Sequence, residues 1–531
     1  MCECCKQLEE KLAERDRQFE ALRQELNLAL QTINMMKHSM FGRSSEQMNP
    51  DQGKFDNLLN ECDSINENLP VSEPEKEKLE FERNKKGQKT NLNGREKIPD
   101  HIERVDKIID LPESEKICPV TGLPMIKIGE EISEQMAYEP GRIYAIRYIR
   151  PKYVSPDRRN GNDVGVKTAP LPESPIERCK ADVSLLTHII ISKYCDHLPL
   201  HRQAEIFQRN GIDLPKSSMC DWTRSAAEVL EPLYNLYRDT VLASDYLNAD
   251  DTPIIFMNRK SGKTSQKGHM WGYLCRIKSA IGDGMNYPPE NPKENKLMFF
   301  DFTQNWDDEH PLKVLKDFKG FLQSDAYPGF KKIPEKLKSI QGIGCWEHAR
   351  RKFFSASKIG IKEAEYFVLL INILYRIEHR IAALKEKGLS DDYRLALRQK
   401  RANRVMNRFF KKVKETTLLP KTPLGKALTY ARNQEQELRR YVDELRFKPD
   451  NNVIEAALRS PCLGKKNYMF LGSECGGKTA AILYSLIGSC RANGINSYEY
   501  LKDVLTRINT LPYSRLQELL PHNWEQLRLQ K

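Results

Sequence analysis

The chain has 531 residues, with 85 Lys and Arg against 73 Asp and Glu, giving a formal net charge of +12. That length supports about three to four domains without staples, and the modest basic excess favours an anionic partner. Thirteen scattered cysteines fit free thiols rather than a secreted disulfide framework, and the longest apolar runs, at 366–375 and 480–487, are too short to span a bilayer, so the reading is a cytoplasmic protein.

Residues 1–47 read as a coiled-coil helix. Leu8, Leu12, Phe19, Leu22, Leu26, Ala29, Ile33, Met36 and Met40 keep a 3-4 spacing over about five heptads, broken at Arg15. This seam favours a homo-oligomer over packing within one chain. The Cys2, Cys4 and Cys5 cluster lacks matching partners for a metal and reads as a frayed terminus. Residues 48–97 lose periodicity and read as a polar linker. Residues 98–180 form short strand-like runs, a small β-rich segment. Within it, RIYAIRYIRPKY at 142–153 interleaves basic and aromatic residues, as either a ribbon along phosphates or an ordinary solvated hairpin.

Residues 181–240 read as a helix-turn-helix-like region: a helix at 200–209, a turn containing Gly211, and a second helix capped by Ser217 or Ser218, with SMCD at 218–221 as a capping box. Lys216, Ser217 and Arg224 are its candidate DNA contacts, although a plain helical hairpin has the same signature. Strand-like stretches follow at 246–257, 269–277 and 296–302, then a helix at 312–318 and a strand closing at Asp325. That order predicts an α/β core of ribonuclease-H-like type, a mixed sheet with helices, whose first part spans 241–345. A basic helical insertion occupies 346–446, starting WEHARRKF and later carrying Arg394, Arg398, Lys400, Arg401, Arg404 and Arg408. Arg350, Arg351, Lys352, Arg401, Arg404 and Arg408 are candidate DNA contacts there, and Lys465 and Lys466 further on. The core's final part covers 447–480, and 481–531 form a C-terminal helical tail.

Three acidic residues stand where elements begin or end. Asp250 lies on the first strand, Asp325 closes another, and Glu455 falls on the first turn or two of a helix opened by Asp450-Asn451. Phosphodiester transfer by two divalent ions, Mg²⁺ or Mn²⁺, about 3.5–4 Å apart needs such hard oxygen ligands. The plainer alternative is that each is a turn or cap residue. GSECGGKT at 472–479 matches the phosphate-cradling G-x-x-x-x-G-K-T pattern, but about fifty residues remain after it, too few for the parallel sheet of such a fold.

Taken in order, MFGRSSE at 40–46, GEEISE at 129–134, LPLHRQ at 198–203, ADDTP at 249–253, LQSDAY at 322–327, DNNVIE at 450–455, GKKN at 464–467 and YEYLKD at 498–503 resemble the insertion-sequence-sixty-six-type transposases over nearly the whole chain. The resemblance implies a DDE transposase of an insertion sequence, cutting element ends and joining the 3′-hydroxyls to target DNA. Asp250, Asp325 and Glu455 would be its catalytic residues and Mg²⁺ ligands. It also implies double-stranded DNA and helper proteins of the same element as partners, and a nucleoid-associated location. Asp251 stands where that family commonly has Glu, and Ala456 where it has Arg. Relatives carry two Cys pairs for zinc, but only Cys118 of those ligands is present, so a four-ligand structural site cannot be assembled. A catalytically inactive DNA-binding remnant that occupies element ends is the alternative function.

Overall fold

The computed structural model describes residues 173–177, 179–258, 263–278, 294–306, 309–325, 328–419 and 421–529, with short stretches at 144–146, 152–153 and 167–168 and scattered helical positions between 14 and 33. The Cys2, Cys4 and Cys5 cluster, the 48–97 linker, Cys118 and most of 98–180 lie outside these residues. Of the heptad seam, Phe19, Leu22, Leu26 and Ile33 are helical and exposed in the single chain.

Contacts divide the chain into residues 66–171 and the remainder. In the first unit, β1 (Lys152–Tyr153) pairs antiparallel with β2 (Lys167–Thr168), with Lys152 opposite Thr168.

The larger unit is built on a mixed five-stranded sheet. Strands β3 (Tyr246–Asn258), β4 (Lys263–Lys278) and β5 (Glu294–Thr303) form an antiparallel meander, while β6 (Gly320–Gln323) and β7 (Ile340–Ile343) run parallel to β3, in the order β5-β4-β3-β6-β7. The strands expected at 246–257, 269–277 and 296–302 are therefore present. The middle strands read as near-continuous apolar runs because helices cover both faces: Leu247, Ala249, Trp271, Tyr273, Phe299 and Phe300 are all buried. Each large side chain removed from water contributes about 1.5–3 kcal/mol.

Ahead of the sheet come α1 (Val183–Tyr194), α2 (Leu200–Arg209) and α3 (Lys216–Leu242). The expected caps at Ser217 and Ser218 are not made. Pro215 is the N-cap, since its fixed φ of −61° prepares the helical turn, and both serines fall inside the helix. Asp221 instead pairs with Arg224 at 3.1 Å, so the capping box does not form. The rest of α3 lies on the sheet, where the Tyr234 hydroxyl donates to the Phe300 carbonyl.

Short helices α4 (Glu309–Val314) and α5 (Pro328–Lys336) flank β6. The segment after β7 folds as α6 (Trp346–Lys358), α7 (Lys362–Glu386), α8 (Asp391–Glu415), α9 (Pro423–Asn433) and α10 (Glu435–Arg439), around an aromatic core of Trp346, Phe353, Phe367 and Phe409. One expectation for this basic segment fails. Arg394 and Arg398 are buried, and Arg398 is 0% exposed, bonded to Glu378 and to the Glu444 carbonyl at 2.7 Å. The terminal nitrogens of that guanidinium are turned to internal acceptors, and a group so enclosed cannot reach a phosphate.

Helix α11 (Asn452–Tyr468) returns to the sheet, followed by α12 (Glu474–Asn493), α13 (Ser497–Arg507) and α14 (Pro521–Leu529). Helix α12 closes the exposed edge of β5. Ser485, Ser489 and Asn493, spaced four apart, accept from the backbone N–H groups of Phe300, Met298 and Lys296, spaced two apart, at 2.8, 2.9 and 2.9 Å. Four helical residues rise about 6 Å and two strand residues about 6.6 Å, so the two ladders stay in register. An edge so satisfied offers no template for another strand.

The same helix accounts for the G-x-x-x-x-G-K-T match. Ser473 caps α12 by accepting from Gly476 N–H, residues 474–479 are already helical, and Lys478 pairs with Glu474 on the surface. A Cβ at Gly477 would lie 2.3 Å from the Phe302 ring, so this glycine permits helix–strand packing. No phosphate cradle exists here.

Candidate active site

Asp250 stands mid-sheet on β3, opposite Gly272 of β4. The missing side chain at Gly272 makes room for Ile454, whose Cδ1 would come within 3.2 Å of a Cβ there, and so seats the start of α11 on the sheet. Glu455, next in sequence, lies in the first turn of that helix. Asp325 follows the end of β6, parallel to β3, with Ser324 N–H donating to the Ile343 carbonyl.

Three buried amides tie these carriers together. Asn248, two residues before Asp250, donates to the Gln323 side-chain oxygen at 3.0 Å and to Asn451 Oδ1 at 2.9 Å. Gln323, two residues before Asp325, donates to the Lys448 carbonyl at 2.7 Å. Asn451, four residues before Glu455, donates to the Ala249 carbonyl at 2.9 Å. Asn451 is the helix N-cap but makes no side-chain cap bond; Asp450 accepts from Asn452 N–H instead. The sheet thereby claims the cap side chain.

The electrostatics follow from this convergence. Burial, then the negative charges of Asp325, Asp251 and Glu455, push the Asp250 carboxyl up to about 8, against one favourable bond from Asp251 N–H. Glu455 Oε2 accepts from Arg351 at 2.8 Å, while its Oε1 is buried without a hydrogen-bond partner. The donor set of three hard carboxylates, one pushed towards its neutral form by burial and like charge, fits divalent cations. The three are not drawn into a single tight cluster. Among the described residues, the set whose ligand atoms all lie within 4.8 Å of one another is Cys345, His348 and Glu455. Asp251 faces the other way, as alternation along a strand requires, with Oδ2 2.5 Å from His269 Nδ1.

The candidate DNA contacts divide. Lys216 and Ser217 are exposed at the start of α3, and Arg224 is half exposed between Asp221 and Glu228. Arg350 makes a two-pronged pair with Glu347 at 2.8 and 2.7 Å, and Arg351 is held at Glu455. Lys352 lies over the Tyr430 ring, and Lys465 donates to Thr252 Oγ1 and the Pro253 carbonyl, both at 2.8 Å. Arg404, Arg408 and Lys466 are exposed, Arg401 partly so.

Sequence reading missed Asn248, Gln323, Cys345 and His348, and took Asn451 only as a helix cap. A signal was present for the amides, one standing two residues ahead of each aspartate. Nothing local marked the cysteine and histidine.

A mixed sheet covered by helices, with partly buried carboxylates on β3, just past β6 and at the start of α11, defines an α/β protein with an acidic candidate metal centre. Residues 178–479 match the family described as "Transposase IS66 family", residues 485–522 its "IS66 C-terminal element", and residues 30–106 "Transposase C of IS166 homeodomain". The chain belongs to the IS66 transposase family. It is 31% identical over 440 residues to the uncharacterized protein y4jD of Sinorhizobium fredii, covering 81% of each chain. It is also 29% identical over 435 residues to y4qI of the same organism, covering 80% of this chain and 76% of that one. No solved structure matches it. Among the described residues, no helix is long and apolar enough to cross a membrane.

Proposed function

We propose that the chain is a DDE-type DNA transposase that cleaves the ends of its insertion sequence and transfers the 3′-hydroxyls into target DNA. The observation that carries this reading is the buried amide network of Asn248, Gln323 and Asn451, which ties the segments bearing Asp250, Asp325 and Glu455 together; burial and the neighbouring negative charges push the Asp250 carboxyl up to about 8, an environment that cations would relieve. The sheet order, with three antiparallel strands followed by two parallel to the first, supports a ribonuclease-H-like core.

In this mechanism Asp250, Asp325 and Glu455 would hold two Mg²⁺ or Mn²⁺ ions. When bound, such ions activate water or a 3′-hydroxyl and stabilise charge on the transferring phosphoryl group. The chain supplies the rest. Asn248, Gln323 and Asn451 fix the spacing of the three carboxylates. Arg351, paired with Glu455 at 2.8 Å, is placed to exchange that carboxylate for a phosphate oxygen. Arg404 and Arg408 offer a sequence-independent hold on the duplex, joined by Lys216, Arg224 and Lys466. The exposed Phe19, Leu22, Leu26 and Ile33 stripe supports pairing with a second copy. A nucleoid-associated location and helper proteins of the same element complete the proposal, with no role for structural zinc at Cys118.

The test is strand transfer. A pre-cut element end with a free 3′-hydroxyl is incubated with a supercoiled plasmid and Mg²⁺, comparing wild type with Asp250→Asn and Glu455→Gln. Joined product from wild type alone supports the reading; equal product from the variants removes it.

A further inference from the structure

Glu455 also faces two donors that the transposition chemistry does not use, Cys345 and His348. Cys345 is the N-cap residue of α6 and is 0% exposed. His348 lies one turn on, and three residues' spacing puts both on one face. Glu455 meets them from the first turn of α11, and the Trp346 N–H to Pro449 carbonyl bond, 2.7 Å, straps the two helix starts together. The three ligand atoms lie within 4.8 Å of one another.

A second, independent observation points to a ligand. His348 Nδ1 and Glu455 Oε1 are 3.8 Å apart, and each is a buried atom with no hydrogen-bond partner. Arg351 engages Oε2 and leaves Oε1 turned to the histidine. A ring nitrogen and a carboxylate oxygen, neither with a hydrogen bond, stand beside a thiol, and the His348 and Glu455 side chains, 24% and 22% exposed, leave an entry path for a small cation.

We propose that Cys345, His348 and Glu455 form a site for a thiophilic divalent cation of the Zn²⁺ type, with a fourth position open to water. Sulfur and imidazole select Zn²⁺ over Mg²⁺, which prefers oxygen alone. Bonds of about 2.0–2.3 Å require the three side chains to close slightly. As the sulfur–metal bond forms, the thiol proton leaves to solvent and no other bond changes. The consequence rests on the catalytic reading above: the site withdraws Glu455 from Asp250 and Asp325, so Zn²⁺ silences the enzyme while Mg²⁺ supports it.

The experiment is Co²⁺ titration followed by absorbance, using the full chain with Cys2, Cys4 and Cys5 changed to Ser to remove a competing thiol cluster. The expected result is one thiolate-ligated Co²⁺ per chain, read from thiolate-to-cobalt charge transfer and tetrahedral d–d bands, displaced by Zn²⁺ and not by Mg²⁺. Those bands are lost in Cys345→Ser and in His348→Asn and retained in Asp250→Asn. His348→Asn guards against misfolding of the cysteine variant, since its side chain is partly exposed. No charge-transfer band, or one that survives both Cys345→Ser and His348→Asn, overturns the proposal. Because the readout is spectroscopic, Mg²⁺-dependent cleavage without the band sinks this site and leaves the transposase reading standing, and the band without cleavage does the reverse.

Discussion

The Asn451 side chain donates to the Ala249 carbonyl at 2.9 Å, joining the helix that carries Glu455 to the strand that carries Asp250 across 202 positions of sequence. The same side chain accepts from Asn248, which also bonds Gln323, so all three carboxylate-bearing segments share one buried amide network.

Asn451→Ala leaves the Ala249 carbonyl and an Asn248 N–H without their partners. The expected cost is about 1–3 kcal/mol in urea unfolding. Cleavage should fall by about a hundredfold, because small displacements of reacting groups are that expensive. Full activity in a destabilised variant would mean that the network supports the fold without setting the site.

Asp250 gives a pH signature in the metal-free protein. Its carboxyl is raised from 3.8 to about 8, so between those values the folded chain keeps a proton that the unfolded chain has released. Its contribution therefore makes stability fall as pH rises from about 4 to about 8, by a few kcal/mol in order of magnitude. Asp250→Asn removes this loss. Thermal melts in EDTA should show the variant gaining on wild type with increasing pH, and Mg²⁺ stabilising wild type more than the variant. Parallel pH curves would contradict the assignment.

The arginines of α8 should separate into two kinds. Arg398→Ala leaves the largely covered Glu378 without its ion partner and opens a void at a fully buried side chain, and is expected to cost about 3 kcal/mol. Arg404→Ala with Arg408→Ala should leave the melting temperature near wild type, weaken binding to every DNA sequence and reduce the salt slope by about two. Binding isotherms at several salt concentrations check this; an unchanged slope returns that face to solvent.

Gly477→Val drives a side chain into the Phe302 ring and should destabilise the fold by about 1–3 kcal/mol or more. Lys478→Ala, on an exposed pair with Glu474, should change stability by less than about 0.5 kcal/mol. Neither wild type nor variant should bind ATP by calorimetry. Nucleotide binding lost in Lys478→Ala would revive the phosphate-loop reading.

The residues most legible in the sequence were those whose chemistry depends on local pattern. Strands β3 to β5 announced themselves as apolar runs between polar breaks, and Asp250 and Asp325 by standing on or just past such runs. Helix capping at Asn451 was read from a local rule, and the long-range amide network overrode it. Arg398 counted as surface charge because its partners, Glu378 and the Glu444 carbonyl, come from other turns of the chain. Cys345 and His348 meet Glu455 only through the packing of two helix starts separated by the whole insertion, which no spacing reveals.

The central claim is the metal-dependent acidic site, and nicking of a labelled duplex carrying the element's own terminal repeats tests it most directly. Wild type and Asp325→Asn are compared in Mg²⁺, Mn²⁺ and EDTA, with DNA binding measured in parallel. The account predicts cleavage by wild type in either metal, none in EDTA, and none by Asp325→Asn, which still binds the ends. Cleavage that persists in Asp325→Asn or in EDTA would contradict it.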